Sequence, residues 1–270
     1  MSKEGPATVD DVADWWATSV SRIEPGIIEL RGRPVADLIA SASLVEVIWL
    51  MLQGDLPDPR HARLLDAALL AGVDHGPHAP SIAIARMAAT CGVGLNGAVA
   101  SGLNVLGDVH GGAGQQCVEL LNEICERADA SEPDGIDTAA ATVLAEWRER
   151  SPYVPGFGHR FHPFDPRRNP LLSLVQSAVD DGAVPGRHLR AGMAIERNLR
   201  TRDGRSVPMN IDGATAVIYA ELGLPAPLAR GLFVLSRSVG VLAHAWEETQ
   251  NGRRIKGPIP PTILPRYTGK

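Results

Sequence analysis

Hydrophobic residues recur at intervals of three and four positions along most of the chain, the spacing that places them on one face of an α-helix. Ala, Gly, Leu and Val fill most of the apolar positions, and aromatic residues make up only 4% of the sequence. Small apolar side chains of this kind are typical of helices packed closely against one another. The pattern therefore predicts a mainly α-helical protein.

Capping and breaking residues bound many of these segments. Ser43 precedes an apolar segment that stops before Gly54, and Pro59 begins an amphipathic segment. The predicted helices are Ser43–Gln53, Pro59–Ala71, Ala79–Thr90, Leu95–Leu106, Gly112–Arg127, Asp137–Arg150, Leu171–Asp180, Arg187–Thr201, Asp212–Leu222 and Leu228–Glu248.

Two segments do not follow the helical pattern. Ser19–Arg31 alternates Val, Ile and Leu around Pro25-Gly26, which predicts a β-hairpin. The segment from Gly252 to Lys270 is too rich in proline to be helical.

The segments Ala79–Thr90 and Leu95–Leu106 contain almost no charged residues. Helices of this composition should be buried on nearly every side, inside the fold or in a contact between subunits. Their apolar surface is larger than the rest of a 270-residue chain can readily bury. We therefore expect a homodimer or a larger homo-oligomer.

Charge and cysteine content exclude several classes of protein. The formal net charge is −5 without a long run of either sign, so nucleic acid is not an expected partner. No secretory signal and no apolar stretch of about 20 residues is evident, which favours a soluble cytoplasmic protein without a membrane partner. Cys91, Cys117 and Cys125 lack a metal-type spacing and are expected to be buried free thiols.

The segment from Val154 to Arg168 interrupts the helices with histidines, arginines, glycines and prolines. Proline fixes φ, and glycine lets another group approach the backbone, so this segment should form a rigid loop. A rigid basic loop is suited to an anionic ligand.

Polar residues that could carry out chemistry cluster at predicted helix ends, where backbone groups and helix dipoles can act on a ligand. The pairs His75/His78 and His159/His162 have a spacing that could bind a metal. No Cys, Asp or Glu completes a zinc pattern, however, and Pro77 breaks the helix that would present the first pair. We therefore expect no metal site. The glycines from Gly107 to Gly114 also lack the pattern of a phosphate-binding loop. The polar clusters are 74–78, 107–112, His159 and 210–213.

The motifs D-H-G-P-x-A-P-S, G-D-V-H-G-G-A, P-G-F-G-H-R with D-P-R, N-I-D-G, S-R-S-V-G and R-Y-T-G follow one another along the chain. In this order they resemble the citrate synthase superfamily over about Arg22 to Gly269. The resemblance implies a citrate synthase-like helical fold that works as a dimer. The large domain would contain residues 1–113 and 202–270, the small domain residues 114–201, and the active site would lie between them.

The resemblance also implies roles for individual residues. Asp212 would exchange the methyl proton of acetyl-CoA, His110 would hydrogen-bond the thioester oxygen, and His159 would exchange a proton with the alcohol or ketone oxygen. A carboxylate and a neutral imidazole acting together can form an enol that neither could form alone. The implied contacts to the dicarboxylate are His75, Arg167 and Arg237, and those to coenzyme A are Pro155, Gly156, Phe157 and Gly158. Coenzyme A would enter as part of the substrate, and no tightly bound cofactor is implied.

Two departures from the citrate synthase pattern bear on the reaction. An aromatic residue usually follows the catalytic aspartate of the synthases, whereas Gly213 and Ala214 stand here, which resembles citryl-CoA lyase and the matching module of ATP-citrate lyase. The interface arginine of the synthases is also missing, because its R-P pair reads Gly257-Pro258. Residues that could replace it are Lys256, Arg254 and Arg253.

These departures favour cleavage of citryl-CoA, or of a related 3-hydroxy-3-carboxyacyl-CoA, to acetyl-CoA and oxaloacetate. A separate ligase could supply the CoA ester. Two alternatives stay open, a citrate or 2-methylcitrate synthase and a CoA-binding protein without catalytic activity.

Overall fold

The computed structural model describes residues 8–129, 132, 134–159, 163–200 and 204–269. Within these residues the chain forms twelve α-helices and three short β-strands. The chain divides into two compact units, Met1–Arg63 and Leu64–Lys270. The prediction of a mainly α-helical protein is confirmed.

The first unit contains the predicted hairpin. Strands β1 (Ser21–Glu24) and β2 (Ile27–Leu30) pair antiparallel, with Ile23 opposite Ile28, and a short β3 (Arg33–Pro34) extends the sheet on the other side of β2. Pro25 and Gly26 form the turn, and Gly26 takes a φ of 78° that glycine adopts without strain.

Three helices accompany this sheet, α1 (Val9–Trp15), α2 (Val35–Ser41) and α3 (Leu44–Gln53). Helix α3 begins and ends where its sequence predicts. Ser43 and Glu46 form a reciprocal capping box, and Gly54 ends the helix in the left-handed conformation. The sequence did not predict α1, α2 or β3, because these elements are too short to show a clear period.

Helix α11 is the central helix of the second unit. It packs against α7, α9, α10 and α12, and every residue from Gly213 to Glu221 is buried. Asp212 lies in the first turn of this helix. The helices after α3 are α4 (Pro59–Gly72), α5 (Pro80–Ala89), α6 (Leu95–Leu103), α7 (Ala113–Arg127), α8 (Gly135–Arg150), α9 (Arg168–Asp180), α10 (Arg187–Asn198), α11 (Ile211–Glu221) and α12 (Ala226–Gln250).

Most predicted helices agree with these bounds to within two residues, and three differ by three residues. Helix α6 stops at Leu103 rather than Leu106, because residues 104–111 form the turn that carries His110. Helix α9 begins at Arg168 rather than Leu171, since Pro170 is tolerated in a first turn. Helix α10 ends at Asn198 rather than at the predicted Thr201, because Leu199 takes an extended backbone conformation, and Thr201 itself lies outside the described residues.

Helices α5, α6 and α12 pack together around a cluster that includes Ile82, Ala85, Ala98 and Val241. On α5 and α6 only the side facing this cluster is fully buried, and most of their other residues are partly exposed. Burial on nearly every side is therefore not achieved within the described chain. The expected cover by a second copy stays a prediction.

The cysteine prediction is right for two positions and wrong for one. Cys117 and Cys125 are buried in α7, and burial raises the pKa of both thiols. Cys91 is exposed, because it follows the end of α5 in a turn with Gly92 instead of continuing the helix.

Among the described residues, α12 is the one helix long and apolar enough to cross a membrane. The same helix packs against α5, α6 and α7 and buries Arg237, as a core helix of a globular protein does. Its composition therefore carries no argument for a membrane span.

Candidate active site

A cleft of about 410 Å³ in the second unit brings together all six residues for which the sequence implied a role in chemistry or dicarboxylate binding. Of the four residues implied for coenzyme A, Gly158 lines the cleft, whereas Pro155, Gly156 and Phe157 are not among its lining residues. The six residues are His75, His110, His159, Arg167, Asp212 and Arg237.

Asn210 forms the cap that places Asp212 at the start of α11. Its Oδ1 accepts hydrogen bonds from the backbone N–H groups of Asp212 (2.9 Å) and Gly213 (3.2 Å). Burial raises the pKa of the Asp212 carboxyl, while the nearby charges of Arg167 and Arg237 oppose the increase. A carboxyl that retains its proton more readily than usual suits an acid/base residue.

The same asparagine holds the P-G-F-G loop against the start of α11. Asn210 Nδ2 donates to the carbonyl of Gly158 (2.6 Å), and its backbone N–H donates to the carbonyl of Gly156 (2.9 Å). The N–H of Gly158 donates in turn to the carbonyl of Pro208 (2.8 Å). These bonds hold the backbone next to His159 against α11. Residues 160–162 of the predicted rigid loop lie outside the described residues, so its rigidity stays a prediction.

His110 lies in the turn between α6 and α7, and its Nε2 faces Ser81 in the first turn of α5. The backbone N–H of Ser81 donates to Nε2 (3.3 Å), and the Ser81 hydroxyl lies 3.1 Å from the same atom. An Nε2 that accepts a hydrogen bond carries no proton, so the proton of the neutral ring is on Nδ1. Burial lowers the pKa of His110, and the charge of Arg237 lowers it further. The ring is thus a neutral imidazole with Nδ1–H as its donor.

Arg167 is oriented by the aspartate two residues before it. Nε and Nη2 donate to the two carboxylate oxygens of Asp165, both at 2.9 Å, and Nη1 donates to the carbonyl of Ala71 (3.3 Å). Asp165 also accepts the backbone N–H of Ile211 (3.0 Å). Although burial opposes its ionisation, the hydrogen bonds from Arg167 lower the pKa of Asp165 to about 2.

Arg237 on α12 is almost fully buried, and its guanidinium lies over the ring of Phe233 at 4.9 Å. Its Nε donates to the carbonyl of Gly72 (3.1 Å). No carboxylate of the described residues lies within ion-pair distance of this guanidinium. A largely desolvated cation at the wall of a cleft is a strong binding group for an anion.

His75 and His159 contact each other edge to face, with 5.3 Å between ring centroids. Burial lowers the pKa of His75, and the charges of Arg167, His159 and Arg237 act in the same direction. Asp74 holds the turn that presents His75, since its Oδ2 accepts the N–H of Gly76 (3.1 Å) and lies 3.3 Å from Nε2 of His244.

Within the described part of the chain, no group of three or more His, Cys, Asp or Glu residues is arranged to hold a metal ion. His162, one member of the second histidine pair, lies outside the described residues. The expectation of a metal-free site therefore stays a prediction.

Of the three candidates for the missing interface arginine, Lys256 has a defined partner. Its Nζ lies 2.7 Å from a carboxylate oxygen of the buried Glu248, which also binds Arg86 (2.7 Å). Lys256 thus fixes the start of the tail to α12 and α5, whereas Arg253 and Arg254 are exposed.

The sequence analysis gave no role to Asp165, Asn210 or Ser81. Asn210 belongs to the polar cluster 210–213 and stands two residues before the predicted start of α11, where an asparagine is an N-cap signal. Asp165 belongs to the D-P-R motif already attached to Arg167. Ser81 ends the motif D-H-G-P-x-A-P-S, but its contact with His110 joins residues far apart in the chain and has no sequence signal.

The sequence pattern described as "Citrate synthase, C-terminal domain" matches residues 57–259, which is well over half of the chain. The chain belongs to the citrate synthase family. It is 30% identical over 229 residues to a citrate synthase of Acidithiobacillus ferridurans, covering 82% of this chain and 54% of that protein. The chain therefore spans about half the length of the curated citrate synthases that it matches.

Two solved structures superpose on the chain over different shares of their own length. The structure of citryl-CoA lyase from Hydrogenobacter thermophilus superposes with a TM-score of 0.80 and 28% sequence identity, covering 94% of this chain and 95% of that one. ATP citrate lyase from Methanothrix soehngenii, solved with citrate and coenzyme A, gives a TM-score of 0.78 at 18% identity. That match covers 98% of this chain and 45% of the other, and at this identity it supports the fold alone.

Proposed function

We propose that the protein is a citryl-CoA lyase that cleaves citryl-CoA, or a closely related 3-hydroxy-3-carboxyacyl-CoA, to acetyl-CoA and oxaloacetate. The observation that carries this proposal is the arrangement around Asp212. A carboxyl with a raised pKa shares one cleft with a neutral His110 and with two arginines, Arg167 and Arg237. An acid, an oxyanion donor and carboxylate-binding cations are the groups that such a cleavage requires.

In the proposed reaction, the arginines and His75 hold the carboxylates of the citryl group. His159 takes the proton of the citryl hydroxyl, and the carbon–carbon bond breaks as the ketone of oxaloacetate forms. The electron pair passes to the thioester, whose oxygen accepts a hydrogen bond from Nδ1–H of His110. Asp212 then delivers its proton to the methylene carbon, which gives acetyl-CoA.

The raised pKa of Asp212 suits this role, because the carboxyl must hold a proton before it can deliver one. His110 is suited to its role because its lowered pKa favours the neutral imidazole. A neutral imidazole can donate a hydrogen bond from Nδ1–H to the oxyanion that develops on the thioester. The Ser81 N–H donates a hydrogen bond to Nε2, which leaves the proton of the neutral ring on Nδ1.

The structural comparison also supports a lyase. The citryl-CoA lyase from Hydrogenobacter thermophilus superposes with a TM-score of 0.80 over 94% of this chain. Gly213 adds to this support, since the aromatic residue that usually follows the aspartate in synthases is absent.

A citrate or 2-methylcitrate synthase is the second candidate, favoured by the names of the relatives matched in sequence. These include the citrate synthase above and a 2-methylcitrate synthase of Shewanella oneidensis that is 27% identical over 207 residues. In that direction Asp212 would remove a methyl proton and would need to be ionised. A CoA-binding protein without turnover is the remote alternative, and the convergence of His110, His159 and Asp212 on one cleft argues against it.

The deciding experiment offers the pure protein citryl-CoA in one reaction and acetyl-CoA with oxaloacetate in another, with products identified by mass. Rapid release of acetyl-CoA and oxaloacetate, with little free citrate formed in the second reaction, supports the lyase. Citrate accumulating together with free coenzyme A, without cleavage of citryl-CoA, would support the synthase. The Asp212→Asn variant serves as the control for background hydrolysis of the thioester.

The remaining expectations are part of the same proposal. The enzyme would be cytoplasmic and homo-oligomeric, with no metal or tightly bound cofactor, and neither nucleic acid nor membrane would be a partner. A separate ligase would supply the CoA ester. A small domain formed by residues 114–201 would close over the substrate.

A further inference from the structure

The chain contains the tripeptide Asp-Pro-Arg twice, and both copies fold in the same way. In the first copy, Asp58 Oδ1 accepts the backbone N–H of Arg60 (2.8 Å) and its Nε (2.9 Å), while Oδ2 accepts Nη2 (2.7 Å). Proline between the two residues fixes φ and begins α4 directly after the aspartate. The side chains of this copy are 35% and 49% exposed, and neither residue lines the cleft.

The second copy repeats these bonds at the cleft, which Arg167 lines. Asp165 Oδ1 accepts the backbone N–H of Arg167 (3.0 Å) and its Nε (2.9 Å), and Oδ2 accepts Nη2 (2.9 Å). The tripeptide thus orients its own arginine by local contacts. What differs is the environment, because the Asp165 side chain is fully buried and its Oδ2 also accepts the N–H of Ile211.

Ile211 is the first residue of α11 and directly precedes Asp212. One carboxylate therefore contacts the arginine expected to bind substrate and the helix start that carries the acid/base residue. We infer that Asp165 is a positioning residue that holds Arg167 and the start of α11 in a fixed position relative to each other. The substrate carboxylate bound by Arg167 is then correctly placed relative to the Asp212 carboxyl. This inference rests on the proposed role of Arg167.

Arg167 keeps hydrogen-bond donors for a substrate carboxylate although it is paired with Asp165. Asp165 occupies the edge of the guanidinium formed by Nε and Nη2, and Nη1 donates one hydrogen to the carbonyl of Ala71. One further hydrogen on each of Nη1 and Nη2 can meet a second carboxylate end-on. A guanidinium already held in place loses little side-chain freedom when the substrate binds.

The first test is a cycle of single and double variants, with the dissociation constant of oxaloacetate measured by titration calorimetry. In Asp165→Asn the amide NH₂ must face donors from Arg167 or from Ile211, so the side chain can no longer accept hydrogen bonds from both. We expect Asp165→Asn and Arg167→Gln each to weaken oxaloacetate binding roughly tenfold or more, and the double variant to be no weaker than Arg167→Gln alone. Unchanged binding in Asp165→Asn, or penalties that multiply in the double variant, would overturn the inference.

Asp58→Asn is the matched control, because it breaks the same local bonds in the copy that does not line the cleft. It should leave oxaloacetate binding unchanged. Melting temperatures of all variants separate a loss of positioning from a loss of folding. Asp165→Asn leaves the Arg167 guanidinium without its counter-charge, whereas the double variant removes both charges. Oxaloacetate binding by the double variant can therefore still be compared with Arg167→Gln if Asp165→Asn is unstable.

A second measurement needs neither ligand nor turnover. Hydrogen exchange at the Ile211 amide should be at least roughly tenfold faster in Asp165→Ala than in the wild type, and unchanged in Asp58→Ala. Equal protection in both variants would overturn the link between Asp165 and α11. Failure of citryl-CoA cleavage in the wild type would remove the proposed function, whereas faster Ile211 exchange would still support the positioning role.

Discussion

The backbones of Gly156 and Gly213 lie directly against each other. A Cβ added to Gly156 would lie 2.8 Å from the Cα of Gly213 and 2.7 Å from the sulfur of Cys117, and a Cβ on Gly213 would overlap the carbonyl of Gly156. Gly156 also takes a φ of 84°, which L side chains rarely adopt. The absence of an aromatic residue after Asp212 is thus a requirement of this packing, because the P-G-F-G loop occupies the space that a side chain would need.

We expect Gly213→Ala to displace this loop from the start of α11. The added methyl would meet both the Gly156 backbone and the Met209 side chain, and overpacking of this kind costs about 1–3 kcal/mol. Because the loop precedes His159 and the helix carries Asp212, turnover of citryl-CoA should fall about 10²-fold. Melting temperature and steady-state kinetics would measure the two effects.

Gly231→Ala is the matched control for that substitution. Gly231 lies within α12, and a Cβ added there would have no atom within 4 Å among its surroundings. Alanine should therefore stabilise the helix by about 0.5–1 kcal/mol and leave turnover unchanged. Wild-type activity in Gly213→Ala would show that the loop tolerates a shift, and the packing argument would be wrong.

Arg237→Lys should weaken substrate binding although the charge is retained. A lysine ammonium cannot form the two parallel bonds of a guanidinium, and it loses the planar contact with Phe233. We expect KM for citryl-CoA to rise roughly tenfold or more. Arg63→Lys, at an exposed position that does not line the cleft, should leave KM unchanged. An Arg237→Lys enzyme with wild-type KM would remove Arg237 from the carboxylate site.

The sequence allows the helices and the residue set of the cleft to be predicted, and the reason is local. Ser43, Gly54 and Asn210 mark helix ends through their own side chains or φ values, so a single chain segment contains the information. Five of the six residues named for the cleft stand at helix ends or in loops between helices, whereas Arg237 lies within α12. Each of the six belongs to a short sequence motif, which is why motif positions could name them.

Contacts between distant segments could not be predicted in this way. The hydrogen bond from Ile211 to Asp165 joins residues 46 positions apart, and the one from Ser81 to His110 joins residues 29 positions apart. Neither has a periodic or spacing signal. The tautomer of His110 and the position of Arg167 relative to α11 follow from these contacts, so both become evident only in the folded structure.

The partly exposed faces of α5 and α6 lead to a prediction about assembly. Sedimentation velocity should find a stable homodimer or larger oligomer at working concentration. Ala100, exposed on α6, is a position where arginine should weaken association if this face is the contact. Ala141→Arg, at an exposed position of α8, is the control and should sediment as the wild type. An active wild-type monomer would contradict the expectation.

Asp212→Asn should exchange activity for stability in a manner that depends on pH. Burial raises the pKa of Asp212 above its ordinary value of 3.8, so the ionised carboxylate destabilises the folded state. Below pH 3.8 the carboxyl is protonated in both folded and unfolded chains, and wild type and variant should melt at nearly the same temperature. As the pH rises from 3.8 through the folded-state pKa, the wild type should lose stability relative to Asp212→Asn. The variant should therefore melt at a higher temperature at about pH 8 while its turnover falls about 10²-fold or more.

Asp66→Asn, on the exposed side of α4, should show neither effect. If Asp212→Asn melted below the wild type at that pH, the carboxylate would be stabilised by its arginines rather than poised to hold a proton, and its role as the acid would fail.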